Sequence, residues 1–270
     1  MKFAEVNGVT LHYDLTDAAS DKPVMVFSNS LGTDFRIWDD LTERFAADYR
    51  VLRYDKRGHG LSETGTTPYK IEDHSSDLAG LLDYLDLKEV IAVGLSVGGM
   101  IVQSLAAQRP ELVKALVLCD TAHKIGTADM WAERITALES GGLAPMLDPV
   151  MERWFTEEFR RSDNPVYVGC CQMFVRQGFD GYVGTCHALK DADLTESTSK
   201  LSLPVLCLVG DQDGSTPPEM VKGTADIIAG SDFAIIEGAG HIPCVEQPAK
   251  QEAVMRRFFA KHNLPGGIND

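Results

Sequence analysis

Four apolar residues, Val90–Val93, run into Gly94-Leu95-Ser96-Val97-Gly98-Gly99-Met100, and a helical pattern follows at once. A buried strand that turns sharply into a helix needs small residues around the turn so that the two backbones can pass. Ser96 would then sit in a strained position with its hydroxyl exposed at the C-terminal edge of a sheet. The new helix begins beside it, so the free N–H of Val97 points toward developing negative charge. Gly-x-Ser-x-Gly alone also describes an ordinary glycine-rich turn. Its meaning depends on whether the chain supplies partners for Ser96.

The chain around this turn alternates strands with helices. Lys2–Val6 and Thr10–Asp14 flank Asn7-Gly8 and read as an antiparallel hairpin. Pro23–Phe27, Val51–Tyr54, Val90–Val93 and Lys114–Cys119 are apolar runs typical of strands buried on both faces. Helical spacing separates them, around Ile37–Phe45, Ile71–Leu85 and from the serine turn to Arg109. Short links between such elements imply a mostly parallel, doubly wound sheet with helices on both faces. From His123 to Ser202 the strand rhythm stops. Met130–Leu138, Leu143–Phe159, Val166–Gly178 and Phe179–Lys190 read as helices instead. Strands resume at Leu203–Val209 and Phe233–Glu237. About 80 residues are too many for a loop. The expected organisation is therefore a core of residues 1–122 and 203–270 with a helical cap, 123–202, over the sheet's C-terminal edge. An independent helical domain is the alternative. The tail Leu264–Asp270, with one Pro and two Gly, is expected to fray.

Composition narrows the partners. The formal net charge is −15, which disfavours nucleic acid and anionic membrane surfaces. An anionic substrate would need a local cation. Met1–Asn7 carries neither a charged leader nor an apolar stretch, so no signal peptide is expected. No apolar run approaches the ~20 residues needed to span a bilayer. Six cysteines are scattered without a Cys-x-x-Cys pair, which points to a reduced, cytoplasmic setting and away from a metal site.

A serine hydroxyl needs a base to take its proton. On such a sheet the base lies on a late loop and is oriented by an acid after an earlier strand. After Val209 the chain offers Asp211 and Asp213. Asp213 lies further out and can reach over the edge, whereas Asp211 suits local turn bonding. Of seven histidines, only His241 follows the last strand directly, in Gly238-Ala239-Gly240-His241. The candidate triad is Ser96, Asp213 and His241. The candidate oxyanion donors are the N–H groups of Val97 and Leu31, with Ser30 as the competitor.

With Ser28-Asn29-Ser30-Leu31-Gly32, Asp55–Ser62, Gly94–Gly99, Gly210–Asp213 and Gly240-His241 in order, the chain resembles the α/β-hydrolase family. That resemblance implies a mostly parallel eight-stranded sheet with an inserted cap. Met130–Ile135, Arg153–Thr156, Gly181-Tyr182 and Lys190–Leu194 look more narrowly like 3-oxoadipate enol-lactonases of the β-ketoadipate route of aromatic catabolism. This likeness implies hydrolysis of a small anionic lactone to 3-oxoadipate through an acyl-enzyme, without a cofactor. Cys186-His187-Ala188 departs from the small apolar segment expected there, and a pocket-facing His187 would alter the substrate.

Arg134 is the expected carboxylate partner, because Trp131 shares its helix face at i, i+3. Trp154 beside Arg153 is the second aromatic candidate, and Arg53 and Arg57 are alternative cations. Trp131 and Trp154 could equally be core. The rival functions are a carboxylesterase or cofactor-free perhydrolase on the same triad, and a non-catalytic ligand-binding scaffold. The oligomeric state is left open.

Overall fold

The computed structural model describes residues 1–268. Eight strands form one sheet: β1 Lys2–Val6, β2 Val9–Leu15, β3 Val24–Ser28, β4 Arg50–Tyr54, β5 Val90–Leu95, β6 Val113–Cys119, β7 Val205–Gly210 and β8 Asp232–Ile236. Their spatial order is β1-β2-β4-β3-β5-β6-β7-β8. The β1/β2 and β2/β4 pairs are antiparallel and the remaining pairs parallel. The sheet thus opens on the hairpin that Asn7-Gly8 predicts, with Asn7 at φ 48° and Gly8 at φ 74°.

Every residue of β3, β5 and β7 is buried. Helices cover both faces, so these strands need no polar alternation. The order steps outward from β3 to β4, then returns past β3 to β5. The serine turn therefore opens at the crevice where ligands bind in open α/β sheets.

Among the described residues no strand lies between Asp120 and Pro204. The helices there are Ala128–Gly141, Leu147–Trp154, Pro165–Val175, Phe179–Asp191 and the short Thr195–Thr198. The single helix expected over Leu143–Phe159 is instead a 3-10 turn, Ala144–Met146, followed by a helix that ends at Trp154. Phe155 turns extended, and Thr156 gives both its N–H and its hydroxyl to the Glu246 carboxylate, 3.0 and 2.6 Å. That anchor removes Thr156 from the helical ladder. The expected fraying of the tail is also corrected for residues 264–268. Leu264 is buried, its N–H donates to Phe259 O, Ile268 N–H donates to Arg256 O, and Pro265 O accepts the Tyr49 hydroxyl. Asn269 and Asp270 lie outside the described residues. No helix of the described residues is long and apolar enough to cross a membrane.

Candidate active site

Ser96 occupies the turn between β5 and the helix Val97–Gln108 at φ 56°, ψ −122°. A non-glycine residue there carries real backbone strain. The neighbours explain how it is held. Ser96 N–H donates to Cys119 O at 3.0 Å, and its carbonyl accepts the Thr121 hydroxyl at 2.6 Å. A Cβ on Gly94 would strike the Gly98 carbonyl, and one on Gly98 would strike the Ser28 carbonyl. Only glycine lets the strand, the helix and the β3 end approach this closely.

Asp213 and His241 come from the loops after β7 and β8. His241 Nδ1 lies 2.9 Å from Asp213 Oδ2, and both side chains are buried. Asp213 also accepts from Ser215 N–H at 2.7 Å, Thr216 N–H at 3.1 Å and the Thr216 hydroxyl at 2.6 Å. Burial alone would raise this carboxyl, but His241 and these donors hold it below the usual carboxylate range. Asp211 turns away: its Oδ1 accepts Gly238 and Ala239 N–H at 2.8 and 3.2 Å. The inserted helices fix both loops. Trp154 O accepts His241 N–H at 2.8 Å, and Arg153 O accepts Gly214 N–H at 3.2 Å.

Ser96, His241, Ser30, Leu31, Trp131, Arg134, Arg153, Trp154 and Tyr182 all line one cavity of about 220 Å³. Val97, next to Ser96, starts the helix, where first-turn N–H groups lack intrahelical partners. The Ser28–Thr33 loop is shaped by groups that sequence reading passed over. Buried Lys56 donates to Ser30 O at 2.6 Å, and Gly32 N–H donates to His59 Nε2 at 3.1 Å. His59 is therefore unprotonated at Nε2, as its burial, which pushes its pKa well down, also favours. These ties occupy Ser30 O and Gly32 N–H. Among the described residues no hydrogen bond takes the Leu31 N–H.

Trp131 is buried and spends its indole N–H on Ile125 O, 2.7 Å. The Arg134 guanidinium lies over its ring, 5.5 Å from the centroid, and 5.8 Å from that of Tyr182. Arg134 donates to the Tyr182 hydroxyl, while its Nε is buried without a partner. Arg153 is a second cation in the same cavity. Its pKa falls below the usual arginine value, first through burial and then through the Arg134 charge. Among the described residues neither arginine forms an ion pair. The alternative cations are excluded: Arg53 is paired with Asp14 and Asp39, and Arg57 with Asp77. His187 does not line the cavity either. Five positions past Tyr182 on one helix, it faces away from the side that presents Tyr182 and Leu189.

A profile described as the alpha/beta hydrolase fold matches residues 23–248. The chain belongs to the α/β-hydrolase family. Among its relatives, "3-oxoadipate enol-lactonase 2" of Acinetobacter baylyi is 37% identical over 255 residues, covering 93% of this chain and 94% of the relative. The crystal structure of the enol-lactonase from Burkholderia xenovorans LB400 superposes with a TM-score of 0.92 at 33% identity, covering 96% of this chain and all (100%) of that one. A thermophilic esterase from Thermogutta terrifontis reaches a TM-score of 0.89 at 25% identity, covering 97% and 99%. The chain is thus an α/β-hydrolase similar to enol-lactonases.

Proposed function

We propose that this chain opens the ring of 3-oxoadipate enol-lactone through Ser96, His241 and Asp213, with residues 123–202 acting as a cap that selects the substrate. The carrying observation is the pair Arg134 and Arg153, two cations in the cavity that holds Ser96 with no ion-pair partner among the described residues. Two facing guanidinium groups repel, and an incoming carboxylate relieves that repulsion. A neutral ester would leave it in place.

In the proposed reaction His241 takes the Ser96 proton as Oγ attacks the lactone carbonyl. The carbonyl oxygen becomes an oxyanion facing the N–H groups of Leu31 and Val97, ~3 kcal/mol of stabilisation from each. The ring C–O bond breaks, and the enol oxygen leaves with its electron pair and takes the proton from His241. The leaving group stays tethered to the acyl-enzyme and relaxes to the ketone. His241 then deprotonates water, which attacks the acyl carbon; the bond to Ser96 Oγ breaks, Oγ takes the proton back from His241, and 3-oxoadipate is released. Scattered free thiols and the reaction itself suit the cytoplasm.

The second reading, a carboxylesterase on the same residues, is supported by the similarity to the Thermogutta esterase. The arginines separate the two. Arg134→Ala and Arg153→Ala are each expected to raise KM for the anionic lactone by about tenfold or more while leaving KM for a neutral p-nitrophenyl ester within about twofold. Equal effects on both substrates would remove the carboxylate role and favour the esterase.

A further inference from the structure

Asp120 follows β6 directly, is fully buried and holds φ 47°. Its N–H donates to Leu208 O, and its Oδ1 accepts Gly210 N–H, both at 2.8 Å. Its Oδ2 is buried with no donor facing it. One oxygen of Asp120, one of Asp213 and a ring nitrogen of His241 all lie within 4.8 Å of one another. The titratable groups around Asp120 are Asp213, His241, Glu246 and the thiols of Cys119 and Cys244. His241 alone among them can become cationic.

Two carboxylates at this separation in a buried site cannot both ionise. The donors decide which one does. Asp213 receives three N–H or O–H groups besides His241, whereas Asp120 receives one. We infer that Asp120 is a positioning residue, kept as a neutral acid, whose O–H donates to the Asp213 carboxylate and steadies it against His241. Oδ2 then has a role: its proton fills the gap between the two side chains. Burial and the Asp213 charge push the Asp120 carboxyl well above its ordinary range, in keeping with this.

The inference rests on the proposed triad, so its test includes a readout that needs no turnover. Infrared spectra of the resting native protein and Asp120→Asn near neutral pH are compared, together with kcat/KM against pH for native, Asp120→Asn and Asp120→Ala on a neutral p-nitrophenyl ester. The native spectrum is expected to show the carbonyl band of a buried neutral acid, and Asp120→Asn to lose it. Asp120→Ala should lose about tenfold in kcat with KM little changed. Asparagine, which keeps a donor and a neutral side chain, should recover kcat to within about threefold with the acid limb in place. No band lost on substitution overturns the inference. So does an acid limb in Asp120→Asn displaced downward by about one unit or more, the signature of a negative charge removed beside His241. Native-like kcat in Asp120→Ala would remove the positioning role. If alanine does not fold, the band and the limb still decide. Absence of turnover by native protein would fault the hydrolytic reading, while the band would still report on Asp120.

Discussion

Two adjacent residues past β6 hold separate parts of the site. Thr121 grips the Ser96 carbonyl, and Asp120, one residue earlier, grips the Gly210 N–H. The β6 end therefore ties the nucleophile turn to the acid loop. A neutral Asp120 also leaves a mark on stability. The folded chain keeps a proton that the unfolded chain releases above pH ~3.9. The folded state thus binds more protons, and stability falls as pH rises through that window. The contribution is full below pH ~4 and is lost progressively toward the raised folded value. Asp120→Asn abolishes it. The Tm of Asp120→Asn minus that of native protein should therefore grow as pH is raised from about 4 to 7, followed by calorimetry. A constant difference would mean Asp120 titrates alike in both states.

At the scale of elements, close approach is the governing constraint. The β5 end, the helix Val97–Gln108 and the β3 end meet through Gly94 and Gly98. Gly98→Ala drives a methyl group into the Ser28 carbonyl and is expected to cost about 1–3 kcal/mol, read by chemical denaturation. A native-like midpoint would mean that the turn can yield. Much of this was legible in the sequence. The apolar runs and turn glycines marked the strands to within two residues, and the order Ser96, Asp213, His241 followed the fold. Periodicity could not see why the Leu147–Trp154 helix stops, because the stop is a tertiary bond from Thr156 to Glu246. Nor could it find Lys56 and His59 as supports of the Leu31 loop. Buried polar side chains carry no apolar period, and their partners are distant in sequence.

For the whole molecule, the net charge of −15 and two free arginines in one small cavity pull in opposite directions. Long-range repulsion is screened by salt beyond ~8–10 Å, whereas contact with two guanidinium groups in a narrow cavity is screened far less. On the proposed function, recognition of an anion is local: the helices between β6 and β7 bring Arg134, Arg153 and Tyr182 to the cavity that holds Ser96. Trp131 at i, i+3 marks Arg134 in the sequence as a candidate cation. Arg153 was hidden because its cue is spatial: a second helix carries it to the same cavity. The order of the tail through residue 268 has a related cause. Pro and Gly mark a chain that cannot be helical, yet hydrogen bonds from Ile268 to Arg256 and from Tyr49 to Pro265 tie it to the core.

The central claim is that Ser96 hydrolyses an anionic enol-lactone. Turnover of 3-oxoadipate enol-lactone and of a neutral p-nitrophenyl ester by native protein and Ser96→Ala tests it most directly. Native kcat/KM for the lactone is expected to exceed that for the ester by about 100-fold, and Ser96→Ala to lose about 10⁴-fold or more in kcat on both. Rapid ester hydrolysis with no turnover of the lactone, or lactone turnover undiminished in Ser96→Ala, would contradict it.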